Sequence, residues 1–508
     1  MDVLLPRTDG GVAAQAVLAA GLLLVARSEL SSGSMERPQA SPTRIPDPME
    51  RDRERQLIVI GGGPGGMAAA RAAARAGVRP LLVQMGPIGG DCTFTGCVPS
   101  KTLIEAAARG ERFTEAIAAT HRAVEAIAAQ EDDDVVRGEG IDVLHGWATF
   151  RSPREVELDG TVLRSERVVI ATGAGPAVPP IPGLADIDYL TNESIFELDQ
   201  QPATLAVLGG GAVGCELAQA FRRLGSEVTV VEALDRLLAK EEPEASAVIA
   251  DAFTAEGIDL RLGRKVLRVE SCEGKAFARL HLEGGEVVRA DRVLVAVGRR
   301  AATSGLGLDA AGVATEGGFV KVNAYLATSS PGIWAAGDVT GLLPFTHAAD
   351  EMGRVAVANA LSRRPRRRFD PSPIPWVTFT SPEVARVGMT EADAAARGGR
   401  VAYLPMTDVD RAVTAGETRG FVKLIAGPRR LLRNTGGGEV LGATVVATRG
   451  GELIHEAVLA MQTRMFTGRL AQAVHAYPTW SMALQQAAAQ FFMEIDGRRA
   501  RPAESQRP

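Results

Sequence analysis

Residues 57–66 read LIVIGGGPGG, a four-residue apolar run that opens directly onto Gly61, Gly63 and Gly66 in G-x-G-x-x-G spacing. The Ala-rich segment AAARAAARAG follows with helical composition, and a second apolar run, LLV, ends at Gln84. Strand, glycine turn, helix and strand in that order form the unit in which the backbone approaches a pyrophosphate and a helix N-terminus stabilises its charge. A lone G-x-G-x-x-G is weak evidence, but in this context it predicts a dinucleotide site. Gln84 stands where an acid usually serves the adenosine ribose, and its amide can still hydrogen-bond a hydroxyl.

The unit returns at residues 205–232, LAVLGGGAVGCELAQAFRRLGSEVTVVE, with Gly209, Gly211 and Gly214 and a strand ending at Glu232. Gly66 to Gln84 and Gly214 to Glu232 have the same separation, so the chain carries two copies and is expected to bind two dinucleotides. A carboxylate at Glu232 accepts from a free ribose 2′-OH and repels a 2′-phosphate, and the nearest following Arg is Arg236. The second nucleotide is accordingly read as NAD(H) rather than NADP(H).

Between the copies lies GGDCTFTGCVPSK, Gly89 to Lys101, with Cys92 and Cys97 separated by four residues. In an undistorted helix such thiols are too far apart to bridge, since disulfide Cα atoms approach to about 4.4–6.8 Å. The segment must bend. Gly96 supplies permissive backbone, Pro99 suits the first turn of a helix, and a helix N-terminus lowers a nearby thiol pKa. A redox-active dithiol is the sharp reading and two unrelated loop cysteines the plain one. The whole chain has 4 Cys, Cys215 and Cys272 being the others, which excludes a disulfide-stapled secreted scaffold.

At 508 residues, 46% hydrophobic and 23% charged with 56 Gly, the chain has the composition of a globular α/β protein of about three or four domains. Its net charge of −5 argues against a nucleic-acid partner. Residues 1–56 differ from the rest. The apolar run Gly11–Ala26 is too short for a membrane span and lacks a clean cationic flank, and a polar Pro- and Arg-rich stretch follows it. A disordered extension, or a start at Met35 or Met49, is expected there, and a cytoplasmic protein without a membrane partner.

Further along, a strand leads into Ala171, Thr172 and Gly173, and RVLVAVGRR makes a similar exit around Gly298. A third strand ends at Gly337 and Asp338, where the carboxylate can take a polyol hydroxyl or close an Asx turn. FTHAADEMGR then starts a helix near His347; RRPRRR, residues 363–368, reads as a solvated linker, and Pro371, Pro373 and Pro375 mark a boundary. Strand and helix patterns beyond it predict an α+β domain without a nucleotide signature.

These segments, in this order from Leu57 to Phe492, resemble the flavin-dependent pyridine nucleotide–disulfide oxidoreductases, the family of dihydrolipoamide dehydrogenase, glutathione reductase and mercuric reductase. The resemblance implies an α/β fold with two Rossmann-like domains and a C-terminal α+β dimerisation domain. The FAD domain would occupy residues 57–185 and 301–370, the NAD domain 186–300 and the interface domain 371–495, with a disordered tail at 496–508. It implies FAD on Gly61, Gly63, Gly66, Gln84, Thr172, Gly173, Asp338 and His347, and the nicotinamide nucleotide on Gly209, Gly211, Gly214, Glu232 and Gly298. Lys101 would sit near the flavin and pair with Glu216. Cys97 would be the inner thiolate facing the flavin and Cys92 the outer thiol of a redox disulfide. No resident metal is implied. The partners would be a second copy of the chain and a small electron acceptor: a disulfide, a metal ion or another soft electrophile. Direct flavin reduction of a quinone, dye or second nucleotide, and a lipoamide dehydrogenase subunit, are the alternatives.

One motif departs from the family. Where lipoamide- and glutathione-linked members carry a His before Pro-Thr and a Glu five residues after that His, residues 475–482 read HAYPTWSM, which puts Tyr477 and Met482 at those positions and His475 two residues upstream. Mercuric reductases resemble the chain in having Tyr there, but end in a cysteine pair that RRARPAESQRP lacks. Tyr477 is the expected contributor to the outer site.

Overall fold

The computed structural model describes residues 55–272, 277–364, 367–429 and 433–505. The expected extension therefore lies outside the described residues except for its last two, and the run Gly11–Ala26 with it.

The first glycine unit builds a five-stranded parallel sheet in the order Ile333–Ala335, Val168–Ile170, Ile58–Ile60, Leu81–Gln84 and Asp142–His145. Its central strands, Ile58–Ile60 and Val168–Ile170, are continuous apolar runs because both faces are covered, as a parallel sheet requires. The helices Pro64–Arg75 and Thr346–Ala360 lie against one face, with Met67, Ala70, Met352 and Ala356 in the core between them. The second unit forms a four-stranded parallel sheet, Asp259–Leu262, Glu227–Glu232, Thr204–Leu208 and Arg292–Val295, packed by the helix Ala212–Leu224. One strand of the first sheet thus comes from beyond the second, so the second domain is inserted into the first.

Residues from Pro375 onward form a six-stranded antiparallel sheet carrying the helices Gly450–Gln462 and Met482–Ala489. Val387, Leu404, Leu424, Val445, Ile454 and Leu484 fill the layer between them. Buried charges tie this domain to the second nucleotide domain. Lys423, 1% exposed, places Nζ at 3.2 Å from Glu242, 2.7 Å from Glu244 and 3.0 Å from Glu391. Arg386 donates to Glu241 at 2.7 Å, and Trp376 Nε1 donates to the same carboxylate.

The C-terminal tail corrects one expectation. Residues 496–508 were expected to be disordered, yet Arg501–Pro502 adds an edge strand beside Arg400–Pro405. Ala500 N–H donates to Gln490 O at 3.0 Å, Ala503 N–H to Gly399 O at 2.9 Å, and Arg501 pairs with the buried Glu391. Polar composition suggested solvation; what orders the segment is sheet-edge hydrogen bonding and one ion pair, neither visible in composition. In the 363–368 segment, Arg367 is bound rather than merely solvated, through Glu351 and the side chain of Asn359, while residues 365–366 lie outside the described residues.

Candidate redox site

Both glycine loops have one geometry. Gly63 and Gly211, the residues before each helix, share φ −77° and ψ −176°. A Cβ on Gly66 would lie 1.7 Å from Gly61 O, and one on Gly214 would lie 1.9 Å from Gly209 O, so no larger residue fits either turn. Gly62 N–H donates to Gln84 Oε1 at 2.6 Å, and Gly210 N–H donates to Glu232 Oε2 at 2.6 Å. The residue at each strand end therefore first fixes its own glycine loop. The Gln84 amide N–H groups go to Met85 O and Pro87 O, which leaves a lone pair on Oε1 for a hydroxyl. Glu232 also accepts from Leu234 N–H, while Arg236 is spent on Ala239 O, Glu241 O and Ser246.

The dithiol segment hangs from the first glycine loop, Gly89 N–H donating to Gly62 O at 2.9 Å. It is bent as its spacing demands: a short helix Gly90–Phe94 stops at Thr95, and a new helix, Cys97–Ala108, begins after Gly96. A Cβ on Gly96 would meet Asp91 O at 2.8 Å, so close approach, not a left-handed backbone, requires the glycine. Cys97 is the first residue of its helix and Pro99 lies in the first turn. Both thiols are free. The Cys92 S–H holds Cys97 down at about 6, with the Thr346 hydroxyl and the Lys101 ammonium adding to the effect, while burial and Glu216 oppose it. The Cys92 thiol is pushed up by its hydrogen bond to Cys97, by burial and by the neighbouring negative charge.

Around the pair, Lys101 Nζ is 2.7 Å from Glu216 Oε2 and 4.6 Å above the Phe379 ring, and Phe379 N–H donates to Glu216 Oε1 at 2.8 Å. Thr346 Oγ1 lies 3.2 Å from Cys92 Sγ and 3.3 Å from Cys97 Sγ. Arg299 bridges Asp91, at 2.5 Å, and Asp338, at 3.4 Å, and Asn192 donates to Asp91 and to Thr95 O. Thr346, Asp91, Asn192, Arg299 and Phe379 were not singled out in the sequence; each becomes meaningful only once distant segments meet.

The FAD residues fit that group. Thr172 Oγ1 is buried without a hydrogen-bond partner among the described residues, and burial raises the Asp338 carboxyl against the pull of Arg299. Gly173, which follows Thr172, and Gly298, which precedes Arg299, turn at the ends of their strands. His347 points elsewhere: its Nε2 is 2.6 Å from Pro375 O and its ring stacks on Phe345, so Thr346 is the residue by which that helix reaches the sulfurs.

The structure does not bring the outer-site candidates to the thiols within one chain. Tyr477 is 70% exposed on the C-terminal domain, and a hydrogen bond to Asp410 raises its phenol. His475 has both ring nitrogens engaged, Nδ1 at 2.9 Å from Ala473 O and Nε2 at 3.0 Å from Glu456, and no nitrogen is left over. Met482 opens the helix Met482–Ala489.

Two dinucleotide loops converging on one bent dithiol define a nucleotide-dependent dithiol oxidoreductase. Comparison with known proteins agrees: residues 55–353 match the pyridine nucleotide-disulphide oxidoreductase model and residues 374–488 its dimerisation domain. The chain belongs to this family, and it is an FAD-dependent enzyme of it. A mercuric reductase of Streptomyces lividans is 38% identical over 467 residues, covering 86% of this chain and 96% of the relative. A dihydrolipoyl dehydrogenase of Thermus scotoductus is 35% identical over 455 residues, covering 85% and 96%. Among solved structures, the Cu(II) complex of the HOCl-induced flavoprotein disulfide reductase RclA of Escherichia coli has a TM-score of 0.79 at 30% identity, covering 86% of this chain and 99% of that one. Among the described residues no helix is long and apolar enough to cross a membrane.

Proposed function

We propose that the chain, as a cytoplasmic homodimer, carries electrons from NADH to the Cys92–Cys97 disulfide and on to a small soft electrophile. The observation that carries this is the geometry of the bent dithiol: Cys97 opens its helix, both sulfurs lie within reach of Thr346 Oγ1, and the Lys101–Glu216 pair stands one turn along. FAD on Gly61, Gly63, Gly66, Gln84, Thr172, Gly173 and Asp338 supplies the two-electron link between nicotinamide and disulfide. Gly209, Gly211, Gly214, Glu232 and Gly298 hold the nicotinamide nucleotide, and the carboxylate of Glu232 favours the free 2′-OH of NADH.

In the reduced enzyme Cys97 rests as thiolate at the start of its helix, and Lys101 holds that charge in place. Cys92 attacks the acceptor. With a disulfide acceptor, Cys92 bonds to one sulfur and expels the other as thiol. Cys97 then attacks Cys92, re-forming the intramolecular disulfide and releasing the second thiol. Tyr477 of the partner subunit would border this outer site, and its phenol, raised by a hydrogen bond to Asp410, is a poor base there. The relatives' names put mercuric ion and lipoyl groups in the acceptor screen beside small disulfides and quinones.

Replacing Cys92 by Ser tests the reading. NADH-dependent turnover of the best acceptor in that screen should be lost. Turnover equal to wild type would mean that electrons leave from the flavin directly and that the dithiol only watches.

A further inference from the structure

Lys101 stands one turn along the helix Cys97–Ala108 from Cys97, and its ammonium stabilises the thiolate only while it stays near the sulfur. A lysine head on a four-carbon stem is free to turn away unless its surroundings fix it. Glu216, buried on the helix Ala212–Leu224, fixes one side of the ammonium at 2.7 Å.

The second side is closed by a residue of another domain. Phe379 follows the strand Pro375–Thr378 of the C-terminal sheet, and Lys101 Nζ lies 4.6 Å from the centre of its ring. The face of a benzene ring carries partial negative charge and attracts a cation at that distance. Phe379 also donates its backbone N–H to Glu216 Oε1 at 2.8 Å, so one residue touches both members of the pair. Its own place is set from the same helix: Gln219, one turn after Glu216, accepts from Ser381 N–H at 2.7 Å and donates to Ser381 O at 3.0 Å. Gln219 is buried, so these bonds are shielded from water.

We propose that Phe379 is a positioning residue of the redox centre: through its ring and its N–H it holds the Lys101 ammonium and the Glu216 carboxylate in the arrangement that favours the Cys97 thiolate. The C-terminal domain thereby serves the inner thiol of its own chain, a role separate from dimerisation. The charged groups facing Cys97 are Lys101 on its own helix, Glu216 from the helix Ala212–Leu224 and Asp91 on the Cys92 side, with Arg299 beyond Asp91; Phe379 touches Lys101 and Glu216 among them. The proposal rests on the dithiol reading above, but its readout is a thiol titration that needs no acceptor, so Cys92→Ser turnover decides that reading separately.

The experiment is alkylation of the NADH-reduced holoenzyme by iodoacetamide from pH 5 to 9, with Cys97 followed by peptide mass. Phe379→Leu keeps the N–H and removes the ring. It should move the Cys97 profile up by about half a pK unit, about threefold less thiolate relative to thiol, and Phe379→Tyr should keep the wild-type profile. In a Lys101→Met background, Phe379→Leu should add nothing, because the residue acts through the ammonium. An unmoved profile in Phe379→Leu, an equal shift in the tyrosine variant, or the same shift with and without Lys101 would overturn the proposal. If the leucine variant does not fold, ring-fluorinated phenylalanines at position 379 keep the shape and weaken the negative face stepwise. A graded upward shift across that series supports the role, and a flat series overturns it.

Discussion

Replacing Lys101 by Met probes the electrostatics of the inner thiol. Lys101 follows Cys97 by one helical turn, so their side chains share a face about 6 Å apart. At an effective dielectric of about 20, a unit charge pair at that distance is worth about 3 kcal/mol, or about two pK units. Glu216, paired to Lys101 at 2.7 Å, acts in the opposite sense and cancels about half of this. Removing the ammonium should therefore raise Cys97 from about 6 by about one unit. Because the thiolate is the charged form, its fraction at pH 7 should fall from about nine-tenths to about one-half. Glu216→Gln should shift the same titration downward, since the carboxylate disfavours the thiolate. The assay is the pH dependence of Cys97 alkylation in the reduced enzyme. Equal titration of Lys101→Met and wild type, or shifts of the same sign in both variants, would refute this account of the low thiol pKa.

Lys423→Met should destabilise the fold by about 3–5 kcal/mol in denaturant melts, because it leaves the carboxylate of Glu242 buried without a counter-charge and takes one of the two cations from Glu391, which keeps Arg501. Burial already raises Glu242, and a carboxyl whose folded pKa is raised contributes stability at low pH that is lost as pH rises through that value. The variant's deficit should thus be smaller at pH 5 than at pH 8, and a pH-independent deficit would contradict the assignment. Truncation after Arg499 removes the edge strand and the Arg501 partner of Glu391, and should lower stability by about 1–3 kcal/mol; an unchanged denaturation midpoint would show the tail contributes nothing. Glu232→Gln should raise kcat/KM for NADPH relative to NADH by about tenfold, one charged hydrogen-bond equivalent, and a wild-type enzyme that prefers NADPH would overturn the role given to Glu232.

The parts of this molecule that were legible in the sequence are those whose requirement is local. A glycine is needed at Gly66 because its own turn leaves no room for a Cβ, and the same holds at Gly214; hence two units could be read from spacing alone. The bend between Cys92 and Cys97 was likewise forced by disulfide geometry. Thr346 was not legible: it lies 249 residues from Cys97, in an ordinary-looking helix start, and its neighbour His347 drew attention by residue type. Arg299 reads as one of several arginines until it meets Asp91. Nor does sequence distinguish Lys423 from a surface lysine, since its burial depends on three carboxylates from two other segments. The tail failed for a related reason. Its two paired residues are too few to show an alternating pattern, and the Glu391 that receives Arg501 is 110 residues away.

In the proposed electron path the Cys97 thiolate would lie beside bound FAD between the two half-reactions. Anaerobic titration of the FAD-loaded dimer with NADH tests it most directly. Uptake of two electrons should produce a long-wavelength charge-transfer band that is abolished in Cys97→Ser and survives in Cys92→Ser. Full bleaching of the flavin at two electrons without such a band, or a band that persists in Cys97→Ser, would contradict the account.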